Sequence, residues 1–203
     1  YFPWKKYLVS ESGTKGFDGL IQLSYSPTYQ LEMFIRYRYK NKKKDFTAED
    51  KIKQTIPYIQ QKCRYQLNYS LKDKLLLKTI ADYVRVNYRN RSASTGFLLS
   101  QSAGYKFNDL PFQCDISCVW FNTDDSRLTI YEKNVLYAFS MPSFYYEGTR
   151  LAINVRYELN KHIMVQAKYG MTHYLNRDVI GSALEAIDGS TKGDLYLQLR
   201  MKF

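Results

Sequence analysis

The chain has 203 residues, of which 45% are apolar and 24% charged, and it carries a formal net charge of +11. That apolar share is enough for one folded domain and excludes wholesale disorder. No stretch approaches the roughly 18 to 20 apolar residues of a membrane-spanning helix. The 20 Tyr, 11 Phe and 2 Trp fit a different way of crossing a bilayer, by strands in which every second residue is apolar and whose ends carry aromatic girdles.

The chain opens at Tyr1-Phe2-Pro3-Trp4 with neither an initiator Met nor a signal peptide, the expectation for a processed chain or a fragment. Residues 1–10 read as a first strand. Phe17, Gly19, Ile21, Leu23 and Tyr25 then share one face of a second. From Tyr29 to Lys40 the odd positions Tyr29, Leu31, Met33, Ile35, Tyr37 and Tyr39 alternate with Gln30, Glu32, Phe34, Arg36, Arg38 and Lys40, a period of two. Residues 41–55 read as an external loop. Its run Lys42-Lys43-Lys44 is the densest basic stretch; nucleic acid is one reading of such charge, and a solvated loop meeting lipopolysaccharide phosphates is the one adopted.

Further along, Tyr65, Leu67 and Tyr69 stand opposite Lys62, Arg64, Gln66 and Asn68. In residues 75–89 the apolar parity changes from Leu75, Leu77, Ala81 and Tyr83 to Val84, Val86 and Tyr88, which predicts a β-bulge near Tyr83. Phe112, Cys114, Ile116, Cys118 and Trp120 form another apolar face. Residues 127–132 and 135–141 are read as two short strands. Leu151, Ile153, Val155, Tyr157 and Leu159 make the next face, then Ile163, Val165, Ala167, Tyr169 and Met171, and finally Leu195, Leu197, Leu199, Met201 and Phe203.

Short connections near 26–28, 71–74, 108–111, 133–134 and 160–162 alternate with longer ones at 41–55, 90–94, 123–126, 142–149 and 175–191, as periplasmic turns alternate with external loops in outer-membrane barrels. Within the last long one, Val179 to Ile187 reads as a short helix over the barrel mouth. The expected fold is therefore all-β, a transmembrane antiparallel up-and-down β-barrel of about twelve strands, with more if upstream strands are missing. Residues 1–203 form one domain, expected to be the C-terminal part of a longer outer-membrane protein, with Phe203 on the periplasmic side. Leu197, Leu199, Met201 and Phe203 resemble the C-terminal β-signal read by the outer-membrane assembly machinery, which is an expected partner together with membrane lipid.

No catalytic residue, metal or cofactor is expected. His162 and His173 sit at opposite ends of one strand, roughly 36 Å apart at about 3.3 Å per residue. Cys63, Cys114 and Cys118 are odd in number and lack C-x-x-C spacing. Alternation assigns to the lumen Arg36, Arg38, Lys62, Arg64, Arg85, Lys106, Arg156, Lys168, Arg200 and Lys202, a basic lining that favours anions if water fills the pore. In a narrow barrel the same residues would pair with Glu32, Asp115, Glu158, Asp194 and Tyr hydroxyls and plug it, and the sequence leaves both readings open.

Tyr131 to Leu159 (YEKNVLYAFSMPSFYYEGTRLAINVRYEL) and Asn176 to Phe203 (NRDVIGSALEAIDGSTKGDLYLQLRMKF) resemble the C-terminal barrel region of Bacteroidota outer-membrane proteins that carry an N-terminal helix-hairpin-helix domain of the competence-protein type. The resemblance implies the membrane half of a longer protein. No helix-hairpin-helix stretch is present here, so a nucleic-acid partner does not follow for this segment. The functional expectation is a channel or membrane anchor with a basic lumen. The alternatives are a subunit or client of an envelope assembly and a soluble Tyr-rich β domain that binds an anionic polymer.

Overall fold

A computed structural model describes residues 9, 14–47, 53–72, 74–88, 92–139, 141–181 and 186–202. The strand expected over residues 1–10 lies almost wholly outside them. The rest is an antiparallel meander: β1 (Phe17–Thr28), β2 (Leu31–Thr47), β3 (Lys53–Leu71), β4 (Leu75–Tyr88), β5 (Ser94–Lys106), β6 (Phe112–Thr129), β7 (Ser143–Glu158) and β8 (Ile163–Tyr174), then the two-residue β9 (Val179–Ile180) and β10 (Ile187–Asp188), and β11 (Thr191–Met201). One nine-stranded sheet runs β1 to β8 in chain order and ends on β11, while β9 and β10 pair only with each other. About twelve strands were expected, and the described residues place nine in the sheet. Among them β1 and β11 are its two edges and do not pair.

Apart from β9 and β10, the strands run from 11 to 19 residues, well beyond the five or six usual in soluble domains and long enough for a tilted crossing of about 9 to 11 residues. The turns β1–β2, β3–β4, β5–β6 and β7–β8 are short and lie at one end of the sheet; at the other end β2–β3 and β4–β5 are joined by five residues each, as β5–β6 is, and the long connections are 130–142 and 175–190. The expected loop 41–55 is largely strand: β2 and β3 pair out to Thr47 and Lys53, so the three-lysine run sits on an extended hairpin. The expected loops 123–126 and 142–149 also fall mostly in strands, because β6 and β7 stay paired to Thr129 and Ser143 across a register shift between Thr123 and Leu128.

One face of the sheet is a lipid-like belt. Its residues are those that alternation assigned outward, and they remain bare: Leu197 is 73% exposed, Leu23 72% and Ile21 66%. Aromatic pairs flank this aliphatic band at both ends, with Phe17–Tyr39 and Phe97–Trp120 toward the long connections. Tyr105, Phe107 and Phe112 stack in series by the short turns. Rings of amphipathic shape are expected at such boundaries.

The opposite face holds the core. Val84 and Val86 of β4, Leu98 of β5, Val119, Phe121 and Leu128 of β6, Ile130 beyond it and Phe144 of β7 form one buried cluster, with Tyr58, Tyr88 and Tyr174 packed against it. No bulge occurs at Tyr83. β4 pairs in continuous register with both neighbours, and its even positions face inward throughout. The parity change has a packing cause: Ile80, Val84 and Val86 are buried by the core cluster while Leu75, Leu77 and Tyr83 lie on the outer face, so both faces of this strand are apolar.

Candidate functional site

Between β6 and β7 the chain does not form the two expected short strands. Residues 127–129 continue β6, and residues 130–139 leave the sheet and lie against its inner face. Burial alternates over its first half as it would in a strand, with Ile130, Glu132 and Asn134 turned to the wall, but its polar partners are wall side chains rather than a neighbouring ladder. Ile130 and Val135 are buried, and the rings of Tyr131 and Phe139 meet with centroids 5.5 Å apart. Tyr137 adopts a φ of 65° in a turn closed by the Ala138 N–H donating to the Val135 oxygen, a conformation non-glycine residues rarely take.

Six wall residues tether the segment and the end of β6 that leads into it. Arg64 on β3 donates from Nη2 to the main-chain oxygen of Thr129 at 3.0 Å. Glu132 accepts from Arg150 of β7, Nε to Oε2 at 2.7 Å and Nη2 to Oε1 at 2.9 Å, and also pairs with Lys168 of β8. Lys133 reaches Asp115 of β6 at 2.7 Å. The Gln166 amide donates to the Asn134 oxygen and that of Gln198, on β11, to the Leu136 oxygen. Burial alone would raise the Glu132 pKa, but the hydrogen bonds and charges of Arg150 and Lys168 outweigh it and hold the carboxyl below the ordinary glutamate range.

In two of the ion-pair groups one carboxylate serves two cations, and a third joins two carboxylates to two cations. Asp82, fully buried, takes Lys62 at 3.3 Å and the guanidinium of Arg64 in a two-pronged contact. Asp18 takes Arg38 and Lys40 at 2.7 and 3.1 Å. Glu132 takes Arg150 and Lys168, with Asp194 adding a second carboxylate on Arg150 at 2.9 Å. A side chain at Gly170 would invade this last cluster, since its Cβ would lie 2.7 Å from Asp194 Oδ2 and close to the Arg150 guanidinium.

Of the ten basic residues expected inside, Arg36, Arg38, Lys62, Arg64, Lys106, Arg156, Lys168 and Arg200 lie on strand positions of the inner face. Lys202 has the same parity just past β11. Arg85 faces out, opposite Gln61 and Thr95, because β4 keeps its register where a bulge was expected. Arg156 pairs with Glu158, and Glu32 accepts from Asn68 at 3.1 Å.

Among the ionic residues of these clusters, Glu132, Asp82 and Asp18 were not assigned to the interior. Arg150 was read on its strand, on the face opposite Leu151, but was not counted in the basic lining, and Glu132 was counted in a short strand. Asp82 lay beside the expected bulge. The terminal positions Leu197, Leu199 and Met201 face outward and are exposed, and Phe203 lies outside the described residues. The Val179–Ile187 stretch has Ile180 paired with Ile187 rather than a helix at its ends, and 182–185 lie outside the described residues. His162 and His173 each meet β11 or its flank through Nδ1, at Lys202 O and Thr191 Oγ1. All three cysteines are free, and no cluster of metal-ligating residues occurs among the described residues.

No family model matches the chain, and no curated protein matches it. The fold is similar to that of in-vitro folded OmpT, an outer membrane protein of Vibrio cholerae, with a TM-score of 0.55 and 12% identity over 92% of this chain. The match covers 55% of that protein, so this chain spans little more than half its length. At this identity the likeness concerns the fold: an antiparallel up-and-down sheet of the outer-membrane barrel kind.

Proposed function

We propose that this chain forms part of the wall of an outer-membrane channel, narrowed from inside by residues 130–139 and selective for anions. The observation that carries the reading is the shared-carboxylate pattern. Asp18 and Asp82 each serve two cations, while Glu132 and Asp194 together balance Arg150 and Lys168, so the interior along β1 to β4 keeps an excess of positive charge after these pairs are formed, and a low-dielectric wall strengthens the field of such a lining.

The segment lies on β4 to β8 and β11. It leaves Arg36 on the barer inner face of β1 and β2, where its Nε donates to Gln22 Oε1 at 2.8 Å and no carboxylate among the described residues pairs with it. In this reading the bare aliphatic belt faces lipid. Open sheet edges are not tolerated in hydrocarbon, so closure takes strands beyond the nine described. With the short turns on the periplasmic side, the end of β11 also lies there and the β2–β3 hairpin projects outward.

The test is single-channel recording of the purified, detergent-folded protein in a planar bilayer under a salt gradient. The expected result is a reversal potential of the sign for anion preference, moved toward zero in Arg36→Glu. A protein that inserts but passes no current overturns the channel reading and leaves a membrane anchor. A protein that remains in the aqueous phase without detergent overturns the membrane reading itself.

A further inference from the structure

We propose that the cavity beneath the 130–139 segment is a binding site for a small organic anion, a monocarboxylate with an apolar body, held by Lys78 and the side-chain amide of Asn154. The cavity measures about 300 Å³ and is a partly open cleft between β4 to β7 and the segment itself. That volume is at the lower end of small-molecule sites.

Two of the residues that line this space carry a donor without an acceptor, one of them sealed behind the wall. Asn154 on β7 is 3% exposed, and its Nδ2 makes no hydrogen bond. Its orientation is fixed by Gln166, whose Nε2 donates both to Asn154 Oδ1 at 2.9 Å and to the Asn134 oxygen. Turning the Asn154 amide over would bring two NH2 groups together, so Nδ2 is the atom left over. Buried polar groups without partners are rare enough that each points to a missing one.

The second donor is Lys78 of β4. Of the two lysines on the cavity wall, Lys133 is engaged by Asp115 at 2.7 Å, and Glu132 is already shared between Arg150 and Lys168. Lys78 is half-buried and has no carboxylate within ion-pair reach among the described residues. A cation removed from water without a counter-charge is unfavourable, and an anionic oxygen would answer both it and the Asn154 N–H. The rest of the wall joins the aliphatic Leu76, Ile130 and Ala152 to Asp115 and Glu132, whose carboxylates are already held by Lys133, Arg150 and Lys168, and its apolar part suits a carbon skeleton rather than a bare inorganic ion. The site stands on this geometry alone and does not depend on whether current flows past it.

Benzoate is the probe, titrated calorimetrically into the detergent-folded full chain with benzyl alcohol as its neutral counterpart. Saturable benzoate binding is expected, at least tenfold tighter than benzyl alcohol. In Lys78→Met, with folding verified by gel mobility of the unheated sample, the preference for benzoate over benzyl alcohol is expected to disappear. The proposal is overturned if benzoate does not saturate the native protein, if benzyl alcohol binds equally well, or if folded Lys78→Met keeps the preference.

Discussion

Arg150 and Glu132 face each other through two parallel hydrogen bonds of 2.7 and 2.9 Å, and both side chains are nearly sealed from solvent. One belongs to the wall and the other to the segment that lies against it. Their pairing is what distinguishes the segment from an external loop, because a carboxylate so deeply enclosed is tolerable only with its cations in place.

Removing that carboxylate leaves Arg150 with Asp194 as its acidic partner and takes from Lys168 a buried counter-charge. Glu132→Gln is expected to lower unfolding free energy by about 3 kcal/mol, in the range for breaking a buried pair. Urea titrations of the vesicle-folded protein check it, and the quadruple replacement Glu132→Gln, Arg150→Met, Lys168→Met, Asp194→Asn should recover part of the loss because the whole charge cluster is removed together. A Glu132→Gln variant as stable as the native protein would show that the cluster does not hold the segment.

The same carboxylate sets a pH dependence. Its folded pKa lies below the ordinary value, so its contribution is complete above the unfolded glutamate value of about 4.3 and is lost as pH falls through the lower folded value. Urea midpoints should be insensitive to this group from neutral pH down to about 5 and fall below that. Glu132→Gln should remove its share of the acid-side decline.

Gly170→Ala tests the other end of the cluster. The added methyl would sit 2.7 Å from Asp194 Oδ2 and force the Arg150–Asp194 contact apart while leaving Glu132 in place. A loss of roughly 1 to 2 kcal/mol is expected, smaller than for Glu132→Gln, again by urea titration. Gly193→Ala on the outer face of β11, where a Cβ would meet nothing nearer than Tyr169 Oη at 3.6 Å, should be close to neutral.

For the outer face, Leu197→Arg is expected to cost about 2 to 4 kcal/mol if that position lies near the bilayer midplane. Folding yield into vesicles would fall accordingly. Tyr29→Arg, at the short turn β1–β2, should be tolerated because its environment is aqueous. Equal tolerance at both positions would contradict a lipid-facing belt.

Strand existence and facing were legible where one face was apolar and the other polar. Leu195, Leu197 and Leu199 against Gln198 and Arg200 is such a case, and its pairing with β8 follows the expected parity. The alternation was misleading where the interior is itself apolar. Ile80, Val84 and Val86 point inward toward the core cluster while Tyr83 and Arg85 point out, and a pattern built on one greasy face has no way to rank two. Residues 130–139 failed for a related reason. Ile130 and Val135 are buried much as strand residues would be, and nothing local in the sequence reveals that their polar neighbours meet side chains of β3, β8 and β11 rather than a hydrogen-bonded ladder. The three-lysine run was read as a loop on composition, although Ile56 and Tyr58 opposite it are strand formers that pair with it.

The contacts from β11 have a kinetic meaning. Gln198 grips the Leu136 oxygen sixty-two residues down the chain, and Asp194 completes the Arg150 cluster from forty-four residues away. Contacts of such long sequence separation form late in folding, so the segment can be drawn inward early but cannot be locked until this strand docks. Closure of the sheet on this side and sealing of its interior are thereby one event, and a chain stalled before β11 would keep its interior open to proteases.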